Sequence, residues 1–317
     1  MGAMAALLVL ASLGPARADD FAPLERRLDL PGGGAVPLLV SPEWDGAPAT
    51  RAVVVIHGLG GNAAGYYRAL ARAAHGAGAQ ATLLAAPHFL SPVGSPAPEL
   101  LRWRRGAWSG GAPALGPTHV SSFAVLDTLL ARLADRARYP DLREVVVIGH
   151  SAGAQFVQRY VAVGQGVPAG SPLPVRYVVA NPSSFLWFGR ERPEPAIAAA
   201  CPGYDNWKYG LAGPLPPYVT DPPATLESRY LARSVTYLSG GADTDPAQRD
   251  LDRTCAGEAQ GPDRLSRSRA FLAALAARHP TLPPPPHFLI PGVGHNGGRM
   301  IDSACGRAVL FGAGRCE

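Results

Sequence analysis

Residues 144–153, EVVVIGHSAG, decide the fold prediction. A run of β-branched residues stops abruptly at a serine that is flanked by small residues, in the pattern G-x-S-x-G. In this pattern the serine lies on a strained turn between a strand and a helix, where larger residues at Gly149 or Gly153 would collide with neighbouring backbone. Ser151 is therefore the candidate nucleophile. Because the string alone is weak evidence, its surroundings have to support it.

The flanking sequence provides that support. Residues 144–148 are too rich in β-branched side chains for a good helix, whereas residues 152–163, AGAQFVQRYVAV, carry helix formers with apolar residues at helical spacing. Upstream, a strand at 52–56 leads into His57 and a glycine-rich turn. In hydrolases with such an elbow, that turn provides one oxyanion-hole N–H and the residue after the serine, here Ala152, provides the other. Leu59 is the expected first donor, and Gly60 is the alternative.

A serine hydroxyl needs an adjacent base, and the base needs a carboxylate that fixes its tautomer. Two downstream segments provide both groups, each after a predicted strand: SVTYLSGGADTDP carries Asp243, and HFLIPGVGHNGG carries His295. The order serine, acid, histidine is the one that this kind of fold uses. Asp245 is an alternative acid, although its place before Pro246 also suits a turn or a helix start.

Simpler roles exist for single residues of these types, since an aspartate in a turn usually bonds local backbone and a histidine in a loop is usually solvated. The four features together, in the correct order after strands, favour the catalytic interpretation. For the remaining histidines we expect structural roles. His57 is expected to brace its own loop, and His150 to pack beside the elbow without taking part in proton transfer.

These motifs resemble those of the α/β-hydrolases over roughly residues 50–300. The resemblance implies a mostly parallel central sheet flanked by helices, and the alternation of predicted strands and helices agrees with it. The segments HGLGGNAAGYYRAL, GHSAGAQFVQRY, ANPSSF and SGGADTDP resemble a group of secreted bacterial and fungal hydrolases, which implies an esterase-like activity. Polyester hydrolases of the cutinase kind usually carry GHSMGG at the elbow, and the departure here disfavours a polyester substrate.

The chain length fits one catalytic domain, 19–317, preceded by a signal peptide, 1–18. The apolar stretch MGAMAALLVLASLGPARA ends in a plausible A-x-A cleavage site before Asp19, and it is short for a membrane span. We therefore expect a secreted or periplasmic protein without a stable membrane anchor after cleavage.

The cysteines Cys201, Cys255, Cys305 and Cys316 fit an exported protein better than a metal site, because the sequence has no C-x-x-C pair or His–Cys cluster. Of the three possible pairings, Cys201 with Cys255 and Cys305 with Cys316 are favoured. Free buried cysteines are the alternative.

Of the 29 basic residues, 28 are arginine, and the formal net charge is +5. The basic residues are scattered among acids without a nucleic-acid fold signature, so no nucleic-acid partner is expected.

Two segments interrupt the alternation of strands and helices. Residues 90–117 are rich in Gly, Pro and Trp, and residues 181–233 combine many prolines with aromatic residues. The second segment, about 182–232, is predicted to be a lid or cap whose aromatics line an apolar pocket, or alternatively pack the insertion against the sheet. Asn181–Phe185 follows a strand, at the end where such sheets collect their site residues, which predicts a substrate contact there.

The sequence thus predicts a secreted serine hydrolase that cleaves carboxylic esters through an acyl-enzyme, without a metal or organic cofactor. A serine peptidase or amidase on the same scaffold is the alternative, and a non-catalytic binding protein of this fold is a more distant one. Acyl chain length, a polymeric or small-molecule ester, and the oligomeric state stay open.

Overall fold

The core of the protein is an eight-stranded sheet in the order β1-β2-β4-β3-β5-β6-β7-β8. The computed structural model describes residues 21–46, 48–79, 81–93 and 97–316. In the sheet β1 pairs antiparallel with β2 and β2 antiparallel with β4, whereas all pairs from β4 to β8 are parallel. The mostly parallel sheet that the sequence predicts is confirmed, and the predicted signal peptide lies outside the described residues.

The strands are β1 Leu24–Asp29, β2 Ala35–Val40, β3 Arg51–Ile56, β4 Thr82–Pro87, β5 Glu144–His150, β6 Val175–Ala180, β7 Ser234–Gly240 and β8 His287–Ile290. The helices are α1 Ala63–Gly76, α2 Ser122–Leu133, α3 Ala152–Val163, α4 Pro195–Ala200, α5 Pro223–Ala232, α6 Cys255–Glu258, α7 Arg264–Arg278, α8 Gly297–Ile301 and α9 Ala304–Phe311.

Both faces of the sheet are covered, because its central strands are apolar on both sides. In β5, Val145 and Val147 pack into the core on one face, and Val146 and Ile148 into the core on the other. The first core includes residues of α2, α3, α5 and α7, and the second includes residues of α1, α8 and α9. This three-layer arrangement fixes the carboxyl ends of the parallel strands at one edge, where ligand sites of such sheets collect.

Two helices differ from the sequence expectation. The helical spacing of the sequence predicts a helix near 121–138. In the structure α2 ends at Leu133, and the Asp135 carboxylate accepts a hydrogen bond from the Ala137 N–H instead of continuing the helix. The same spacing predicts one helix over 300–311. In the structure this segment is split into α8 and α9, because the Ser303 hydroxyl accepts from the Gly306 N–H and starts a new helix.

The structure contains two disulfides, Cys201–Cys255 and Cys305–Cys316, which is the pairing that the sequence favours. Among the described residues, no helix is long and apolar enough to cross a membrane.

The aromatic residues of the insertion pack mainly against the body of the protein. Phe185 stacks on Phe271 of α7 with ring centroids 4.7 Å apart, and Trp187 meets the same ring edge-on. Tyr230 of α5 is buried against this cluster as well. These side chains fasten the insertion to the sheet, as in the packing alternative, and the lid function stays a prediction.

Candidate active site

Ser151 lies on a sharp turn between β5 and α3 and has φ 60° and ψ −121°, a conformation that is rare for a residue with a side chain. The flanking glycines make the turn possible. A Cβ on Gly149 would lie 2.1 Å from the Gly153 carbonyl oxygen, and a Cβ on Gly153 would lie 2.1 Å from the Ile56 carbonyl oxygen. Any larger residue would therefore push α3 away from β5 and β3.

The imidazole that contacts Ser151, and the carboxylate behind that imidazole, come from the ends of β8 and β7. Asp243 follows β7, and His295 follows β8. The His295 Nδ1–H donates to Asp243 Oδ2 at 2.8 Å, and the Ser151 hydroxyl donates to His295 Nε2 at 2.9 Å. Because the carboxylate only accepts, it selects the imidazole tautomer whose Nε2 can take the serine proton.

The structure separates the two candidate acids. Asp243 is buried, and its second oxygen, Oδ1, lies 3.4 Å from the guanidinium of Arg264, whose side chain is fully buried. Asp245 is exposed, and its Oδ1 accepts from the Ala247 N–H at 2.8 Å, which is the local turn role. Burial lowers the pKa of Arg264, whereas the Asp243 carboxylate raises it. Sequence reasoning missed Arg264, since an arginine in the first turn of a helix gives no sign of its partner.

The glycine-rich turn after β3 lies beside the serine. His57 is fully buried, its Nδ1–H donates to the Gly58 carbonyl at 2.8 Å, and its Nε2 accepts from the Phe89 N–H at 3.1 Å. Burial lowers the pKa of His57 to about 4, so that the ring is neutral and holds the turn, as expected.

The predicted oxyanion donors border the cavity that contains Ser151. Leu59 and Ala152 line this cavity, whereas Gly60 lines the neighbouring one. Within the described part of the chain, the N–H groups of Leu59 and Ala152 donate to no carbonyl, and Ala152 is the first residue of α3, where helix N–H groups have no partner in the helix. Both groups are thus available to a ligand oxygen.

His150 packs on His295 and does not bond to the serine. The two rings lie 4.7 Å apart at an angle of 31°, and the Tyr66 hydroxyl is hydrogen-bonded to His150 Nδ1 at 2.7 Å. Burial holds the pKa of His150 well below its usual value. A neutral ring therefore supports His295 from one side. Sequence reasoning did not identify Tyr66, which comes from α1.

The cavity around Ser151 has a volume of about 600 Å³, and most of the residues that line it carry polar or charged side chains. The residues that line it are Leu59, Arg104, Arg105, Gly106, Ala107, Ser109, Ser151, Ala152, Gln155, Ser183, Lys208, Tyr209, Arg249, Asp250, Leu251, Asp252 and Thr254. Of the aromatic residues in the insertion, Tyr209 is the one that faces this cavity. A second cavity, of about 500 Å³, adjoins it at Leu59 and Arg105 and is lined by Phe89, Trp103 and Trp108.

Some residues of the segment after β6 hold the fold together, and another lines the cavity. Asn181 is buried, and its Oδ1 accepts from the Gly240 N–H at 2.8 Å, which ties the ends of β6 and β7 together. Phe185 belongs to the core, whereas Ser183 lines the cavity. Of residues 181–185, Ser183 therefore borders the cavity, although its hydroxyl is already bonded to Arg264 and to the Asp250 carbonyl.

Comparison with known proteins agrees with this architecture. Residues 53–307 match the model of the alpha/beta hydrolase family. The chain is similar to the structure of poly(aspartic acid) hydrolase-1 from Sphingomonas sp. KT-1, with 23% identity and a TM-score of 0.66 over 92% of this chain and 98% of that one. It is also similar to LpqC, a poly(3-hydroxybutyrate) depolymerase from Bordetella parapertussis, with 25% identity and a TM-score of 0.63 over 93% and 92% of the two chains.

An IroE-like serine hydrolase from Shewanella oneidensis has the same fold, with 12% identity and a TM-score of 0.51 over 92% of this chain and 80% of that one. No curated protein matches the sequence significantly. Since the family model covers most of the chain and the sheet, elbow and strand order agree with it, the protein belongs to the alpha/beta hydrolase family.

Proposed function

We propose that the protein is an exported serine hydrolase that cleaves carboxylic esters through an acyl-enzyme. The observation that carries the proposal is the continuous hydrogen-bond chain from Asp243 through His295 to Ser151, with heavy-atom distances of 2.8 and 2.9 Å. Three side chains from three separate strand ends converge in the order and geometry that nucleophilic acyl transfer needs.

In the proposed mechanism, His295 Nε2 takes the hydroxyl proton as Ser151 Oγ attacks the carbonyl carbon. The N–H groups of Leu59 and Ala152 hold the developing oxyanion, and Asp243 stabilises the imidazolium. His295 then protonates the leaving alcohol, and the acyl group stays on Oγ. His295 then takes a proton from water as the water attacks the acyl carbon, and it returns that proton to Ser151 Oγ as the Oγ–acyl bond breaks and the acid leaves.

An ester is favoured over an amide by the comparison with LpqC, because that protein is named a depolymerase of a polyester and reaches 25% identity over nearly the whole chain. The peptidase or amidase alternative keeps the same triad and differs in the leaving-group contacts.

The first test is the hydrolysis of p-nitrophenyl acetate, butyrate and octanoate by the mature protein and by Ser151→Ala. We expect measurable activity that falls by at least about 10³-fold in the variant, since loss of a triad nucleophile removes most of the catalysis. Ser228→Ala is the matched control, because that serine is exposed on α5. Activity that survives in Ser151→Ala would overturn the mechanism, and cleavage of peptides without esters would favour the amidase.

Export is part of the same proposal. The two disulfides support it, because disulfides form and persist in oxidising compartments. Mass spectrometry of the protein from the culture medium or periplasm should find an N-terminus near Asp19. A protein that keeps residues 1–18 and stays in the cytoplasm would contradict export.

A further inference from the structure

The chain contains one lysine among its 29 basic residues, and this lysine, Lys208, lines the cavity of the candidate nucleophile. Its side chain is 33% exposed, so it is partly accessible from the cavity that it lines. A compact, rotatable ammonium differs from a guanidinium in that it acts as a point charge with three donors.

The carboxylate nearest to Lys208, that of Asp252, does not use all the hydrogen-bond donors of the ammonium. Lys208 Nζ lies 3.7 Å from Asp252 Oδ2, which is longer than a good hydrogen bond. Asp252 is held instead by Tyr209, whose hydroxyl donates to Oδ2 at 2.9 Å, and by the Thr254 hydroxyl, which donates to Oδ1 at 2.8 Å. The Lys208 ammonium therefore keeps donors for a ligand.

Positive charge is in excess around this cavity. Its lining carries four cationic side chains, Arg104, Arg105, Lys208 and Arg249, and two carboxylates, Asp250 and Asp252. Asp250 lies between two of the arginines, 3.9 Å from Arg105 and 3.8 Å from Arg249. Among the described residues, no carboxylate lies within ion-pairing distance of Arg104.

A buried cation behind the cavity adds to this excess. Arg159 is fully buried, and within the described residues its guanidinium donates only to neutral acceptors, which include the Lys208 carbonyl at 3.1 Å and the Ser109 carbonyl at 2.9 Å. Burial lowers the pKa of Arg159 to about 10, so that it stays charged at neutral pH. A concave, low-dielectric wall with an excess of one sign of charge concentrates ions of the opposite sign.

We propose that this cavity selects esters that carry a carboxylate, and that Lys208 is the specificity-determining residue that binds this group. The inference rests on the proposed esterase function and names its substrate class. The flexible ammonium makes the direct contact, while exposed Arg104 and Arg105 attract the substrate. A net excess of two charges on the lining fits one or two carboxylates better than an extended neutral acyl chain.

The pH dependence of the preference follows from the same groups. Burial and the neighbouring Arg159 lower the pKa of Lys208 to about 8, whereas Asp252 raises it. The ammonium is therefore charged at neutral pH and loses its proton as the pH rises through about 8. The preference for carboxylate-bearing esters should fade over that range, while the positive charge of the arginines persists.

The test compares esters that differ only in a carboxylate, on each side of the scissile bond. The acyl-side pair is mono-p-nitrophenyl succinate and p-nitrophenyl butyrate, and the alcohol-side pair is para-acetoxybenzoate and phenyl acetate. The quantity measured is the ratio of kcat/KM for the anionic ester to kcat/KM for the neutral one. Taking the change in this ratio between wild type and variant cancels the intrinsic reactivity of the esters.

In Lys208→Met the ratio should fall about tenfold for at least one pair, which corresponds to the loss of one hydrogen bond to a charged group. Lys208→Arg keeps the charge and should restore most of the ratio. The matched control is Arg72→Gln, which removes one exposed positive charge from α1, outside the cavity, and should change neither ester. The effect in Lys208→Met should appear mainly in KM, because the ammonium binds the substrate and does not touch the reacting atoms.

The outcomes separate the two proposals. If Ser151 is needed to hydrolyse the neutral esters but the kcat/KM ratio is unchanged in Lys208→Met for both pairs, the carboxylate site is overturned. The esterase proposal is unaffected by that result. An equal fall in Arg72→Gln also overturns it, because the effect would then come from net charge. A folded protein that cleaves none of the four esters overturns the esterase proposal and this inference with it.

Discussion

Replacing Asp243 with asparagine tests how the buried carboxylate controls His295. Asp243 accepts two interactions, from the His295 Nδ1–H at 2.8 Å and from Arg264 at 3.4 Å. An amide has a single accepting oxygen, and a guanidinium can only donate. In Asp243→Asn the amide oxygen therefore turns toward Arg264, and its NH₂ group turns toward His295.

The consequence is an inverted tautomer. His295 Nδ1 has to accept from the amide, so the proton moves to Nε2, which faces Ser151 and can no longer take the hydroxyl proton. In serine proteases with this triad chemistry the equivalent change lowers kcat by about 10⁴-fold. That loss corresponds to about 5 kcal/mol in the activation free energy.

Asp245→Asn is the matched control. Its side chain is exposed and accepts one hydrogen bond from the Ala247 N–H, which an asparagine oxygen can also accept. We expect its kcat for p-nitrophenyl butyrate to stay within about twofold of wild type, because the change leaves the local turn intact. Initial rates at saturating ester measure both variants, and thermal unfolding shows whether each is folded.

Two results would refute this reasoning. A loss below about tenfold in folded Asp243→Asn would mean that Arg264 does not hold the amide oxygen and that the tautomer is not inverted. A loss in Asp245→Asn as large as in Asp243→Asn would identify the exposed aspartate as the acid in solution.

The elbow, the disulfides and Lys208 each determine the result of one further experiment. Gly153→Ala places a methyl group 2.1 Å from a carbonyl oxygen of β3 and should lower the free energy of unfolding, measured by urea titration, by about 3 kcal/mol or more. Gly46→Ala is the control and should lower it little, because no atom lies within 4 Å of a Cβ at that position. Cys201→Ser opens a disulfide with a sequence separation of 54, and Cys305→Ser opens one with a separation of 11, so the free energy of unfolding should fall by about 4 and about 3 kcal/mol, respectively. A larger fall in Cys305→Ser would contradict this order. Raising the pH through about 8 should increase KM for carboxylate-bearing esters in wild type but not in Lys208→Met, since only wild type loses an ammonium there. Parallel pH profiles of KM in the two proteins would rule out Lys208 as the residue that binds the carboxylate.

The sequence determined the elements whose signal is local. The G-x-S-x-G turn, the glycine-rich turn after β3 and the two polar loops after β7 and β8 each follow an apolar strand pattern that can be identified without the rest of the chain. Parallel strands bring their carboxyl ends to one edge, so the order of these motifs already implied that Ser151, Asp243 and His295 meet there. The sequence did not predict features that have no local pattern. One of these is the break between α8 and α9, where the Ser303 cap interrupts a continuous helical spacing.

Tertiary structure decided what surrounds the serine. Whether the aromatics of the insertion face a substrate or the core depends on Phe271, which lies far along the chain on α7 and stacks on Phe185. Likewise, the partners that make the site cationic, Arg159 beneath the cavity and Lys208 on its wall, come from different elements, and no spacing in the sequence links them. Charge in a cavity depends on which side chains the fold brings within a few ångströms, and on how much water it removes, so this property exists only in the folded chain.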